Sequence, residues 1–163
     1  MLGSVDCMHW QWKNCHVALR GSYRSGHKGT HPTVILEAVA DYRLWIWHVY
    51  FGVPCSNNDV NVLNNSDLFS EALNGKASAI NFIANNRQCK MGYYLADGIY
   101  PKWPTFMKTF NRPANEKQSL FAQKQEAARK DVERAFGVLQ ARFNIIKAPA
   151  RQWFMENMVD IIK

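Results

Sequence analysis

Asp6 in GSVDCMHW, Asp97 in YYLADGIYP and Glu133 in RKDVERAFGVLQARF pair a residue type with a placement that suits one chemistry. The first two close short apolar runs that read as strands. The third lies within a long helical pattern, with 35 residues between Asp97 and Glu133. Carboxylates on two strand ends and a later helix can converge on a pair of divalent cations, the arrangement that drives in-line attack on a phosphodiester. Hard cations such as Mg2+ or Mn2+ take oxygen ligands, and two of them about 3.5–4 Å apart activate the attacking water and stabilise the leaving oxygen. In this reading Asp6 bridges both ions from the central strand, while Asp97 and Glu133 hold one each. Without cations three gathered carboxylates repel one another. Asp131 competes with Glu133, since two residues apart on a helix they project about 200° from one another. Both flank the apolar face, so helical geometry leaves that choice even.

The elements that must position these acids can be read from period and punctuation. Leu2 to Met8 reads as a first strand ending near Asp6, and Gln11 to Thr30, polar, basic and glycine-containing, as a loop. PTVILEAVA and LWIWHVYFGV are rich in β-branched and aromatic residues, with Asp41, Tyr42 and Arg43 as the turn of a hairpin between them. Asp59 to Leu73 reads as a helix capped from Ser56–Asn58 and stopped at Asn74-Gly75. Ile80 to Lys90 suggests a small hairpin around Asn85-Asn86. Tyr93 to Ala96 is a short strand delivering Asp97, and Gly98 permits a sharp exit. One long helix is predicted from about Glu116 to Phe143, with Phe121, Ala128, Val132, Ala135, Leu139 and Phe143 on one face. A further amphipathic helix begins near Trp153. The alternation of strands and helices predicts an α/β fold with a mixed sheet.

Four blocks carry a resemblance: GSVDCMHWQWKNC, LEAVADYRLWIWHVYFGVPCSNNDVNVLNNSDLF, MGYYLADGIYPKWPTF and LFAQKQEAARKDVERAFGVLQARFNII. In this order they resemble the nuclease domain of PIF/Harbinger-type transposases, above all the plant members and the host genes derived from them. The resemblance implies a ribonuclease-H-like (retroviral-integrase-like) mixed sheet flanked by helices. It also implies metal-dependent DNA cleavage and strand transfer by an Asp, Asp, Glu triad, carried over to Asp6, Asp97 and Glu133, with two Mg2+ or Mn2+ ions. The match of VERAFG to the family favours Glu133 over Asp131. Residues 1–163 are expected to form one DDE-type nuclease domain, short at both ends and without the N-terminal DNA-binding region of relatives. DNA and a Myb-like DNA-binding protein are the partners that the resemblance implies. The nucleus is the expected location, with the cytoplasm as the alternative.

Other candidates are weighed against plainer roles. Asp59 is a fourth ligand or, more simply, a carboxylate at a helix entry, where the macrodipole favours it. Asp41 and Asp67 read as turn and cap residues, and Asp160 as a solvated charge. His27 and His31 lack the further ligands a zinc site needs. His9 reads as a packing residue near the metal site and His48 as one alternating position on a strand. Lys13, Arg20, Arg24 and Lys28, with Tyr23 between, form a basic loop that could track phosphates or be ordinary solvated loop. Arg129, Lys130, Arg134 and Arg142 are a second candidate phosphate surface, although Arg129 and Glu133 are also spaced for an i,i+4 ion pair. Trp45, Trp47 and Trp103 read as core.

The 163 residues make one domain's worth of chain, and 47% hydrophobic residues with six Trp supply a core. A net charge of +7 and a pI near 9.4 favour an anionic partner, nucleic acid first. Cys7, Cys15, Cys55 and Cys89 show no CxxC pairing and read as free thiols. The most apolar stretch, Thr33 to Cys55, is interrupted by Glu37, Asp41 and Arg43, which excludes an ordinary membrane span. A metal-dependent DNA endonuclease is the leading expectation. Its alternative is a domesticated, catalytically inactive DNA- or chromatin-associated protein or a decayed fragment. The target DNA and the oligomeric state are not legible.

Overall fold

The computed structural model describes residues 1–24, 31–54, 59–67 and 79–162. Three β-rich runs build the centre. Strands β1 (Gly3–Gln11), β2 (Thr33–Ala40) and β3 (Ile46–Pro54) are successive antiparallel neighbours. Helix α1 (Asp59–Asn65) follows, then a separate hairpin of β4 (Ala79–Ala84) and β5 (Arg87–Met91). Its turn residues Asn85 and Asn86 both take positive φ, the left-handed pair that matches a hairpin's twist and that Asn tolerates well. Two short strands, β6 (Tyr94–Leu95) and β7 (Phe106–Met107), run parallel to β1 and complete a five-stranded mixed sheet of order β3-β2-β1-β6-β7. Four helices then follow: α2 (Glu116–Arg129), α3 (Asp131–Arg142), the short α4 (Asn144–Lys147) and α5 (Met155–Ile162). The chain is therefore α/β with a mixed sheet, as its alternation predicts.

Alternation along the strands divides the sheet into two faces. On one, Leu36, Ala38 and Ala40 of β2 pack against Val132, Ala135 and Phe136 of α3, with Met8 beside them. On the other, Val5 and Val39 pack with Leu63, Ala96 and Tyr100, and Ile35 with Val62 of α1. Asp6 shares its face with Ser4 and Met8, the face that the later helices cover. Its position in the centre of the sheet is set by β1 being paired on both sides.

Four expectations change. β1 does not end near Asp6 but continues to Gln11, because the alternation persists through Trp10, buried with Trp12, Val34 and Met158. The indoles of Trp10 and Trp12 donate to the carbonyls of Ala148 and Gln152, which ties the C-terminal segment to the end of β1. The single long helix is two, parted at Lys130, whose ψ of −2° departs from the regular helical value of about −42°. α2 rests on β1 and β6, while α3 rests on β1 and β2. A straight helix of that combined length, about 40 Å, would leave a twisted sheet, and the bend keeps both halves on it. Trp45 and Trp47, expected in the core, are 63% and 62% exposed, because β3 is an edge strand. Gly98 needs no glycine freedom, since its φ is ordinary and a Cβ there would meet open space. α1 ends at Asn65 with Ser66 outside it, so the helix expected to run to Leu73 is interrupted there. Residues 68–73, the capping residues Ser56–Asn58, the side chain of Asp59, and His27 and Lys28 lie outside the described residues.

The β2–β3 turn is organised by Asp41. Its carboxylate accepts the backbone N–H groups of Arg43 and Trp45 at 2.8 and 3.1 Å, as well as the Arg43 guanidinium and the Trp47 indole. Desolvation pushes the Asp41 pKa up, but these four donors outweigh it and hold the carboxyl below its ordinary value. A depressed folded pKa stabilises the fold above the ordinary value near 3.8 and loses that contribution as pH falls through the folded value. Asp41→Asn is therefore expected to melt lower than wild type at neutral pH, with the gap closing under acid conditions below the ordinary carboxylate range. Melting curves collected from pH 7 downward check this, and a gap that widened in acid would refute the role given to the turn.

Candidate functional site

The acids of the predicted triad come from three separate elements. Asp6 is mid-strand on β1, Asp97 stands two residues past the end of β6, and Glu133 lies in the first turn of α3. Between them is Arg129, the last residue of α2, with its side chain only 11% exposed. Its Nη1 lies 3.1 Å from Glu133 Oε1 and 3.7 Å from Asp6 Oδ2. Its other edge, Nε and Nη2, donates to Glu126 Oε2 at 3.4 Å. Desolvation pulls the Arg129 pKa down, but the charges of Glu126, Asp97, Asp6 and Glu133, in falling order, outweigh it and raise the pKa above the usual arginine value. Asp6, Glu133 and Glu126 thus pair with one guanidinium, and Asp97 acts on it through its charge.

Several contacts hold these elements in place. Ser4 Oγ donates to the carbonyl of Ala128, fastening the end of α2 to the strand that carries Asp6. Gln125, 4% exposed, donates to the carbonyls of Ala96 at 3.4 Å and Met107 at 3.1 Å, tying α2 to the strands beside Asp97. Lys108 Nζ donates to the carbonyls of Gly98 and Tyr100 at 2.9 and 2.6 Å and pins the turn after Asp97. The N-terminus of α2 is set by Asn115, whose side chain accepts the Gln118 N–H while Gln118 accepts that of Ala114.

The structure separates Asp131 from this group. Asp131 is buried and pairs with Arg134, three residues on, while Glu133 reaches Arg129. The remaining basic candidates divide as well. Lys13, Arg20, Arg24 and Lys130 are exposed, and the Nε of Arg20 donates to the Cys15 carbonyl. Arg129, expected on a phosphate-facing surface, is instead turned inward onto the acids. Sequence reasoning missed Gln125, Lys108 and Glu126; only Glu126 had a visible signal, its i,i+3 spacing to Arg129.

The donor set fits hard divalent ions in its chemistry, since it consists of carboxylate oxygens with a cation already drawn among them. The spacing is that of a guanidinium network. Among the described residues no group of three or more His, Cys, Asp or Glu side chains stands ready to hold a metal. A groove of about 540 Å³, lined by Leu44, Trp45, Val138 and Phe143 and flanked by Arg43 and Arg142, lies apart from the acids.

A family model described as plant transposon protein matches residues 1–163. No curated protein matches the chain. No solved structure matches it either.

Gln125 gives a test of how Asp97 is positioned. Gln125→Leu takes a donor from the carbonyls of Ala96 and Met107, of which Met107 keeps the Ala96 N–H, and also removes Oε1, which is buried with no hydrogen-bond partner. The net expected loss is about 1 kcal/mol. Urea unfolding checks this through a lowered midpoint at unchanged slope, and an unshifted midpoint would show that the tie does not hold α2 to the sheet.

Proposed function

The chain belongs to the plant transposon protein family, and from that premise we propose that it is a metal-dependent DNA endonuclease of PIF/Harbinger transposase descent, working on a ribonuclease-H-like sheet. The observation that carries the reading is that Asp6 and Glu133, distant in sequence, pair with one internal guanidinium, which also feels the charge of Asp97. The fold reading is supported by three successive antiparallel strands followed by two parallel ones on the β1 side, with Asp6 on the central strand.

Asp6, Asp97 and Glu133 are the residues that would hold two Mg2+ or Mn2+ ions. When bound, such ions lower the pKa of an attacking water and neutralise the leaving oxygen of a phosphodiester. The chain's own residues do the rest. β1 fixes Asp6 through its pairing with Ala38 of β2 and, two residues earlier, the pairing of Ser4 with β6, and Gln125 and Lys108 hold the segment that carries Asp97. Glu133 approaches from a helix whose first turn is acidic. Lys13, Arg20, Arg24, Lys130 and Arg134 are proposed phosphate contacts, together with Lys28 outside the described residues. DNA as substrate, a Myb-like partner and a nuclear location follow from the resemblance. The second reading, a DNA- or chromatin-associated protein that keeps the fold without cleavage, is favoured by one observation: the acids are already bridged by Arg129.

Nicking of supercoiled plasmid in Mn2+ separates the readings. Wild type is expected to nick, while Asp97→Asn and Glu133→Gln lose at least about a hundredfold in rate, the scale of losing one metal ligand's several kcal/mol. Asp131→Asn is expected to stay within a few-fold of wild type. A folded wild-type chain that never nicks supports the non-catalytic reading, and loss in Asp131→Asn rather than Glu133→Gln would reassign the third ligand.

A further inference from the structure

Arg129 occupies the space that the proposed chemistry needs. Its Nη1 faces Asp6 Oδ2 at 3.7 Å and Glu133 Oε1 at 3.1 Å, so a cation shared by those two oxygens would have to take its place. Mg2+ draws oxygens to about 2.1 Å, and the carboxylates cannot close to that distance around a guanidinium. The guanidinium also has two separable edges. Nη1 addresses the triad, while Nε and Nη2 address Glu126, whose side chain is 38% exposed and lies one helical turn back on α2. Arg129 can therefore give up Asp6 and Glu133 while keeping Glu126. Lys130, where the helix breaks, is the next residue.

We infer that Arg129 is a resident counter-cation that fills the carboxylate cluster in the metal-free chain and is exchanged for divalent ions when the site loads, with Glu126 holding it afterwards. The inference rests on the two-metal reading of the same acids and adds a regulatory step to it. Metal loading and release of Arg129 from the triad are one equilibrium. The guanidinium stabilises the empty site and, for the same reason, weakens metal binding. It is a positioning residue in the metal-free state, not a ligand.

Calorimetric Mn2+ titration and melting curves on the 163-residue chain test this without recourse to cleavage. Arg129→Gln is expected to melt lower than wild type without metal and to bind Mn2+ about tenfold more tightly, the scale on which an adjacent opposite charge acts. Arg129→Lys keeps the charge but loses the two-edged fork, so it too is expected to bind Mn2+ more tightly than wild type, and it decides the matter should the glutamine variant fail to fold. Lys124→Gln removes an exposed charge from the same helix and is expected to leave Mn2+ affinity within about twofold, given the weak effect of solvated charges. Two results overturn the inference alone: Mn2+ affinity unchanged in both Arg129 variants while wild type binds and Asp97→Asn does not, or Lys124→Gln tightening it as much as Arg129→Gln. If wild type and the Arg129 variants all fail to bind Mn2+, the two-metal reading falls with it, and the cluster is a permanent ion-pair network.

Discussion

Asp6, Asp97, Glu126 and Glu133 bring four carboxylates to a place where Arg129 supplies one positive charge. Much of the architecture on that side of the sheet serves this meeting. A strand paired on both edges fixes Asp6, and the parallel pair β6–β7 ends where Asp97 must stand. Helix α2 delivers Arg129 from its last turn, and the bend at Lys130 lets α3 start with Glu133 one turn further on. An exposed i,i+4 pair on a helix contributes only about 0.3–0.5 kcal/mol. Arg129 is mostly buried and shared with β1, so its removal would leave desolvated acids facing one another, which costs more than the loss of one surface pair.

Local patterns told most of this in advance, and long-range ones did not. The β-branched alternation of TVILEAVA, the paired asparagines at positions 85 and 86 and the short apolar run before Asp97 are local signals, and each formed the expected element. Glu133 was distinguished from Asp131 by resemblance alone, since both flank the apolar stripe. In space the difference is plain: Asp131 finds Arg134 on its own helix, and Glu133 finds the cation shared with the sheet. Arg129 itself was legible only as a neighbour of Glu133. Its contact with Asp6, 123 positions earlier, depends on how α2 crosses β1, which no spacing encodes. The break at Lys130 was hidden because an apolar period runs through a bend undisturbed. Trp45 and Trp47 misled because a strand's composition does not say whether the strand will lie at an edge.

The opposite face of the sheet handles a buried charge differently. Glu37, fully buried on β2, has His48 Nε2 at 3.7 Å, and that nitrogen also stands 3.0 Å from Ser66 Oγ. Desolvation depresses the His48 pKa against the pull of Asp67, which favours the neutral ring. A neutral imidazole and a hydroxyl are polar partners without surplus charge. One face thus keeps a carboxylate among dipoles behind α1, whereas the other gathers several around a full cation beneath α2 and α3.

That contrast bears on what the Arg129 cluster is for. Two other acids each pair with one arginine, Asp41 with Arg43 and Asp131 with Arg134. Around Arg129 three acids, Asp6, Glu126 and Glu133, pair with one guanidinium and Asp97 adds its charge, while nearby Lys108 gives its ammonium to the carbonyls of Gly98 and Tyr100. Carboxylates gathered around one guanidinium also repel one another, so a network that served cohesion alone would gain by holding fewer of them. Glu133 could be lost without disturbing the bond of Arg129 to Glu126, and the helix would keep a first-turn acid in Asp131. That crowding of acid around one base is costly on its own and would be relieved by further positive charge. Two divalent cations would supply it, so the gathering of acids at Arg129 accords with the metal-loaded reading proposed for these residues.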